Sequence, residues 1–189
     1  MERMLQTAAL VVLVICWAAW ALAFVGARKR TVTRKKVVRA PVSRWGILLQ
    51  LLGFTLVFTY FRPAGYEKSA PSLIASMILG PPSVALGWAA VRHLGKQWRY
   101  EAALSEDHEL IRTGPYGWVR HPIYASMLGR LVTTGLAWTW WPMFVAALIV
   151  FVAGTEIRVR AEDGLLAERF QEAFTDYRSR VSAYIPFIR

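Results

Sequence analysis

Trp138-Thr139-Trp140-Trp141-Pro142 stands near the middle of an apolar stretch, residues 123–157, whose only charged residues are Arg130 and Glu156. A helix needs about 20 residues to cross a bilayer, so this stretch is too long for one crossing. The proline is a turn signal, and the tryptophan rings suit a membrane–water interface. The stretch therefore reads as a helical hairpin, one helix over 122–137 and a second over 142–155.

Three more uncharged runs lie on the N-terminal side, at 4–27, 45–61 and 70–91. The first exceeds the spanning length. Ala21-Leu22-Ala23 within it resembles a signal-peptide cleavage site, but Met1-Glu2-Arg3 lacks a basic n-region, and the positive charge follows the run. It reads as a span. The second run is just long enough to cross. The third carries Gly80-Pro81-Pro82, where proline removes backbone donors and a kink is expected.

The composition agrees. The 189 residues are 56% hydrophobic and only 19% charged, yet the net charge is +11. Basic residues collect in one tract, 28–44, which holds Arg28, Lys29, Arg30, Arg34, Lys35, Lys36, Arg39 and Arg44 and no acid. A nucleic-acid module would spread them over a soluble face, so no nucleic-acid partner is expected. By the positive-inside rule the tract is cytoplasmic. Counting spans then puts 92–121 and the tail, 156–189, on the same side. Cys16 has no partner for a disulfide, and no metal ligands stand at recognisable spacing. In the tail, Glu162, Asp163, Glu168 and Glu172 alternate with Leu165, Leu166, Phe170 and Phe174 at helical spacing, which predicts an amphipathic helix ended near Pro186.

Two polar elements interrupt this apolar plan. The first is Gly114-Pro115-Tyr116-Gly117-Trp118-Val119-Arg120-His121-Pro122-Ile123-Tyr124. Gly114-Pro115 is a turn. Pro122 suits a first helical position, which sets His121 at a helix mouth where free N–H groups favour an anion. The faces of Tyr116 and Tyr124 can hold an organic cation. The second element is Arg158 with Glu162, four residues apart and so on one helix face. Taken alone, each also reads as an interfacial anchor or a surface ion pair. Arg130 lies about 12 Å along its helix from Pro122, at about 1.5 Å per residue. A charge at that depth faces a cavity, a partner or water, or snorkels outward, and it is a candidate to line an acceptor path.

Together the elements carry a resemblance. Gly114-Pro115-Tyr116 through Arg120-His121-Pro122-Ile123-Tyr124 resembles the G-x-Y-x-x-x-R-H-P-x-Y element of the isoprenylcysteine carboxyl methyltransferases and their bacterial relatives. Arg158, Glu162-Asp163, Leu166, Phe170, Tyr177 and Ile185-Pro186 follow at that family's spacing. The resemblance covers residues 92–189. It implies S-adenosylmethionine as methyl donor and a lipophilic or membrane-embedded acceptor. It implies cofactor contacts at Glu101, His108, Glu109, Leu110, Ile111, Tyr116, His121, Pro122, Ile123, Tyr124 and Glu162. Glu101 stands where eukaryotic members carry glutamine. Arg158 falls where the family has an acceptor-binding arginine, the expected catalytic and substrate residue; Arg130, which the family pattern does not require, is expected from its depth in the helix as a second substrate contact. Ser126 and Gln171 stand where the family often has glycine, and Phe174 where it often has tyrosine.

The expected architecture is an all-α polytopic membrane protein. It has one domain over 1–189 and about five transmembrane helices. Three spans lie in 1–91, and the methyltransferase-like half, 92–189, holds the hairpin and a cytoplasmic amphipathic tail helix. The expected setting is an inner or plasma membrane, with the active site on the cytoplasmic side. Two alternatives differ in class. Membrane sterol and steroid reductases, which use NADPH, share an R-H-P-N-Y element, against which this chain has Ile123 for asparagine and Ala125-Ser126 for Gly-Glu. A non-enzymatic membrane scaffold would not need polar residues at both ends of the hairpin.

Overall fold

The proline and tryptophan signals place the hairpin well. In the computed structural model, which describes residues 2–28, 37–59, 63–97, 103–105 and 109–186, it is formed by helix α4, Pro122–Ala137, and helix α5, Trp141–Arg180. Proline occupies the first turn of both, where its missing N–H costs no hydrogen bond. Before them come α1, Glu2–Arg28; α2, Ser43–Phe58; and α3, Ala70–Leu94. α3 runs through Pro81 and Pro82 as one helix.

Among the described residues the only strands are two of three residues each, β1, Val37–Arg39, and β2, Ala103–Ser105. They pair antiparallel, Val37 opposite Ser105. The sequence carries no strand signal there. The pairing ties the segment before α2 to the segment after α3 and so puts both at one end of the bundle. The opposite end is closed by the hairpin turn. There Thr139 donates its hydroxyl to Val57 O, Trp138 Nε1 donates to Phe58 O at 3.3 Å, and Lys68 Nζ donates to Gly135 O at 2.7 Å.

Among the described residues, three helices are long and apolar enough to cross a membrane, over Glu2–Gly26, Ala70–Leu94 and Trp141–Arg180. α2 and α4 have 16 residues each, about 24 Å of helix, short of a core of about 30 Å. The tail also differs from expectation. It does not start as a separate helix at the edge of the apolar run, because α5 continues from its apolar half into the charged one as far as Gln171. Leaving the membrane does not end a helix, and Ala, Glu, Arg and Leu after residue 156 are strong helix formers. The break comes at Gln171, whose φ of 46° and ψ of −117° kink the helix. The kink returns Phe174 and Tyr177 to buried positions.

Packing is set by small residues. α2 lies along α5, α3 along α4, and α1 along α3. A Cβ on Gly46 would stand 2.6 Å from Gly154 O, and one on Gly154 would stand 2.7 Å from Gly46 O. Only glycines let α2 and α5 come this close. In lipid, where apolar surface gains little from leaving its solvent, such close contact and buried hydrogen bonds hold helices together. Outward-facing Met4, Val14, Ile78 and Ile149 are all more than 60% exposed, an exterior suited to lipid.

Candidate active site

Gly114 opens the site. Its φ is +59°, and a Cβ there would strike the His93 ring, so both backbone and space require glycine. The short turn Gly114–Gly117 buries Pro115 and Tyr116. The chain beyond α5 then crosses this loop. Val119 bridges Ser182 in parallel, Arg120 N donates to Ser182 O at 2.8 Å, and His121 N donates to Ala183 O at 2.7 Å. Tyr177 donates its hydroxyl to Tyr116 O. Arg120 and His121 are thereby fixed where α4 begins.

Two adjacent acids on α5 meet them. Asp163, buried, accepts from Arg120 Nη2 and from His121 Nε2, both at 2.9 Å. Glu162 Oε2 lies 3.2 Å from His121 Nδ1. Glu162 also accepts from the Tyr124 hydroxyl, and Arg158 Nη2 lies 3.8 Å from its Oε1. Arg120 Nη1 donates to Val181 O and, at 3.4 Å, to Arg178 O. His121 stacks on Tyr124 at 5.6 Å, and the Arg158 guanidinium sits 4.8 Å from the centre of the Tyr124 ring.

Burial alone would lower the His121 pKa. The hydrogen bonds and charges of Asp163 and Glu162 outweigh it and hold the imidazole up to about 9. His121 is therefore a cation at neutral pH, with a carboxylate at each ring nitrogen. Burial first, then the charge of Glu162, pushes the Tyr116 phenol well above its ordinary range and keeps it neutral. The acids divide the work by exposure. Asp163 is enclosed and holds Arg120 and His121 in place, whereas the Glu162 side chain is 26% exposed. A carboxylate so placed suits the ammonium or sulfonium of S-adenosylmethionine, and the aromatic faces of Tyr124 and His121 suit its ring and cationic parts. The residues present therefore fit that cofactor.

The structure thus brings together Tyr116, His121, Pro122, Tyr124, Arg158 and Glu162, with Ile123 in the same first turn of α4. Glu109 is exposed and its N–H donates to Gln97 Oε1 at 3.1 Å; Leu110 and Ile111 are half-buried. Glu101 and His108 lie outside the described residues. Arg130 belongs to another part of the bundle. It is fully buried, its Nη2 donates to Leu13 O at 3.3 Å, and its guanidinium lies 4.9 Å from the centre of the Trp17 ring, on the α1 side of α4. Three site residues escaped the sequence reading: Asp163 and Arg120 as charge partners, and Gln50, which accepts from Arg158 Nη1 at 3.0 Å. Asp163 and Arg120 were signalled by their adjacency to Glu162 and His121, and Gln50 by being an amide inside an apolar run.

Residues 73–168, holding the helix mouth, Arg158 and both acids, match the sequence pattern of the isoprenylcysteine carboxyl methyltransferase (ICMT) family. The chain belongs to that family. Among its relatives is the Protein-S-isoprenylcysteine O-methyltransferase of Saccharomyces cerevisiae, 33% identical over 82 residues, which cover 43% of this chain and 34% of the yeast protein. The nickel-cobalt-cadmium resistance protein NccN of Alcaligenes xylosoxydans xylosoxydans is 33% identical over 152 residues, 79% of this chain and 66% of that protein. The cobalt-zinc-cadmium resistance protein CzcN of Cupriavidus metallidurans is 25% identical over 152 residues, 79% of this chain and 65% of that protein. The chain spans about a third of the yeast relative and just under two thirds of the other two.

Proposed function

We propose that this ICMT family member is an integral membrane methyltransferase that uses S-adenosylmethionine and methylates a lipophilic acceptor. The observation that carries this reading is the Glu162 carboxylate, partly exposed between His121, Tyr124 and Arg158 at the mouth of the hairpin. When bound, S-adenosylmethionine supplies an activated methyl group. Glu162, His121 and Tyr124 hold and orient it, and the tail segment 181–186 closes the loop from behind. Arg158 meets an anionic group on the acceptor and favours its ionised, nucleophilic form. Methyl transfer by displacement needs alignment more than proton transfer, which agrees with a cluster whose titratable groups are already paired. Arg130 is left out of this assignment because its guanidinium faces Leu13 and Trp17.

In this reading α2 and α4 complete five membrane crossings, and the basic tract sets the site on the cytoplasmic side of an inner or plasma membrane. The family match gives the NADPH-reductase alternative no support. The acceptor class is a lipid or isoprenoid carrying an anionic or nucleophilic head. The test is incubation of the purified protein with isotopically labelled S-adenosylmethionine and a membrane lipid extract, read by mass spectrometry. Label in one lipophilic product, absent with Glu162→Ala, is the expected result. No label in any lipid from folded protein that binds S-adenosylhomocysteine would contradict a lipophilic acceptor.

A further inference from the structure

Arg158 is held from a side that the family pattern does not reach. Gln50 lies on α2, before the matched residues 73–168. It is 2% exposed, in a helix whose other inward residues are Ser43, Gly46, Gly53 and Val57. Its amide is used at both ends. Nε2 donates to Thr155 Oγ1 at 2.9 Å, and Oε1 accepts from Arg158 Nη1 at 3.0 Å. Arg158 carries only donors, so it fixes the amide oxygen toward the guanidinium and leaves Nε2 for the Thr155 hydroxyl, which is fully buried. The close contact of Gly46 with Gly154 brings α2 near enough, since a Cβ on Gly46 would stand 2.5 Å from Arg158 Cγ.

A buried amide between membrane helices is costly unless it has a use. Fixing Arg158 is such a use. An arginine side chain has many rotamers, and a guanidinium that receives an anion must present its donors in one plane. Gln50 holds Nη1, Glu162 lies beside Nη2, and Tyr124 covers one face. The neutral amide also matters. A carboxylate at position 50 would place a second acid beside Arg158 and compete with an anionic ligand, whereas an amide orients the cation without adding charge.

We infer that Gln50 is a positioning residue that holds the Arg158 guanidinium for the anionic group of a lipophilic acceptor. This rests on the methyltransferase reading of the same site. The test is calorimetry in detergent with two amphiphiles, N-acetyl-S-farnesylcysteine and its uncharged carboxamide, each with and without S-adenosylhomocysteine. The wild type is expected to bind the carboxylate at least about tenfold more tightly than the amide, the scale of one charge-assisted hydrogen bond. Gln50→Leu should reduce that preference to less than about threefold and leave S-adenosylhomocysteine affinity unchanged. Gln50→Glu, which keeps the shape and fills the buried position, should abolish the preference if Gln50→Leu does not fold. Retention of the wild-type preference in either folded variant, or its absence in the wild type, overturns the inference. Failure of the wild type to bind S-adenosylhomocysteine would instead strike the methyltransferase reading.

Discussion

Of the three arginines buried among the described residues, two lie over an aromatic ring at nearly the same distance: Arg158 over Tyr124 at 4.8 Å and Arg130 over Trp17 at 4.9 Å. Their surroundings differ. Arg158 has Gln50 Oε1 at 3.0 Å and the Glu162 carboxylate at 3.8 Å, beside a half-open cluster of charge. Arg130 has one backbone carbonyl, Leu13 O, and its Nε and Nη1 meet no oxygen or nitrogen acceptor among the described residues. Burial of a cation inside a membrane bundle therefore does not by itself mark this site. What marks it is an acid within reach and a place at a helix mouth, where the surroundings stay partly open.

The largest expected difference comes from replacing each arginine by leucine. Arg158→Leu leaves the partly exposed Glu162 without one of its cations and the buried Gln50 Oε1 without its donor, and a buried acceptor left unpaired costs about 1–3 kcal/mol. Arg130→Leu removes a charge that no carboxylate balances among the described residues. Exchanging a buried ion for a well-packed apolar residue is neutral or stabilising by about 1 kcal/mol or more. Thermal unfolding in detergent should thus shift down for Arg158→Leu and stay or rise for Arg130→Leu. The reverse order would break the comparison.

A second effect follows from protonation. The His121 pKa stands at about 9 in the folded chain, above the ordinary 6.5. Its contribution to stability is therefore fully present below about pH 6.5 and is lost as pH rises through about 9. At about 1.4 kcal/mol per unit, the whole contribution is about 3 kcal/mol. The midpoint of unfolding should fall between pH 6.5 and 9 in the wild type. Asp163→Asn, which removes one of the two carboxylates, should flatten that fall. Arg130→Leu should leave it unchanged.

The sequence made the hairpin legible because proline and tryptophan act locally. The expected helix, 122–137, is α4 as observed, and α5 begins one residue before its expected start. The extent of α5 was not legible. Charge from Glu156 onward marks the edge of the apolar segment, but helix propensity continues across that edge. The site was half legible. His121, Tyr124, Arg158 and Glu162 stand in motifs at fixed spacing. Asp163 and Arg120 become partners only when the loop and α5 are brought together, and Gln50 only when α2 packs on α5. The departure at Gln171 has a backbone reason. Its positive φ, at a position where the family often has glycine, is strained for a residue with a Cβ. Gln171→Gly should therefore raise stability by about 1 kcal/mol, the smallest of these effects, measured by denaturation in detergent. An unchanged or lower stability would mean that the kink is relaxed in solution.

On the proposed function, the cluster around Glu162 and Arg158 holds the methyl donor and acceptor, while the buried Arg130 takes no part. Calorimetric titration of S-adenosylhomocysteine into the wild type, Glu162→Ala and Arg130→Leu tests it most directly. The wild type is expected to bind, Glu162→Ala to bind at least about tenfold more weakly for the loss of a charged contact, and Arg130→Leu to bind with wild-type affinity. No binding by folded wild-type protein at millimolar ligand, or equal weakening in both variants, would contradict it.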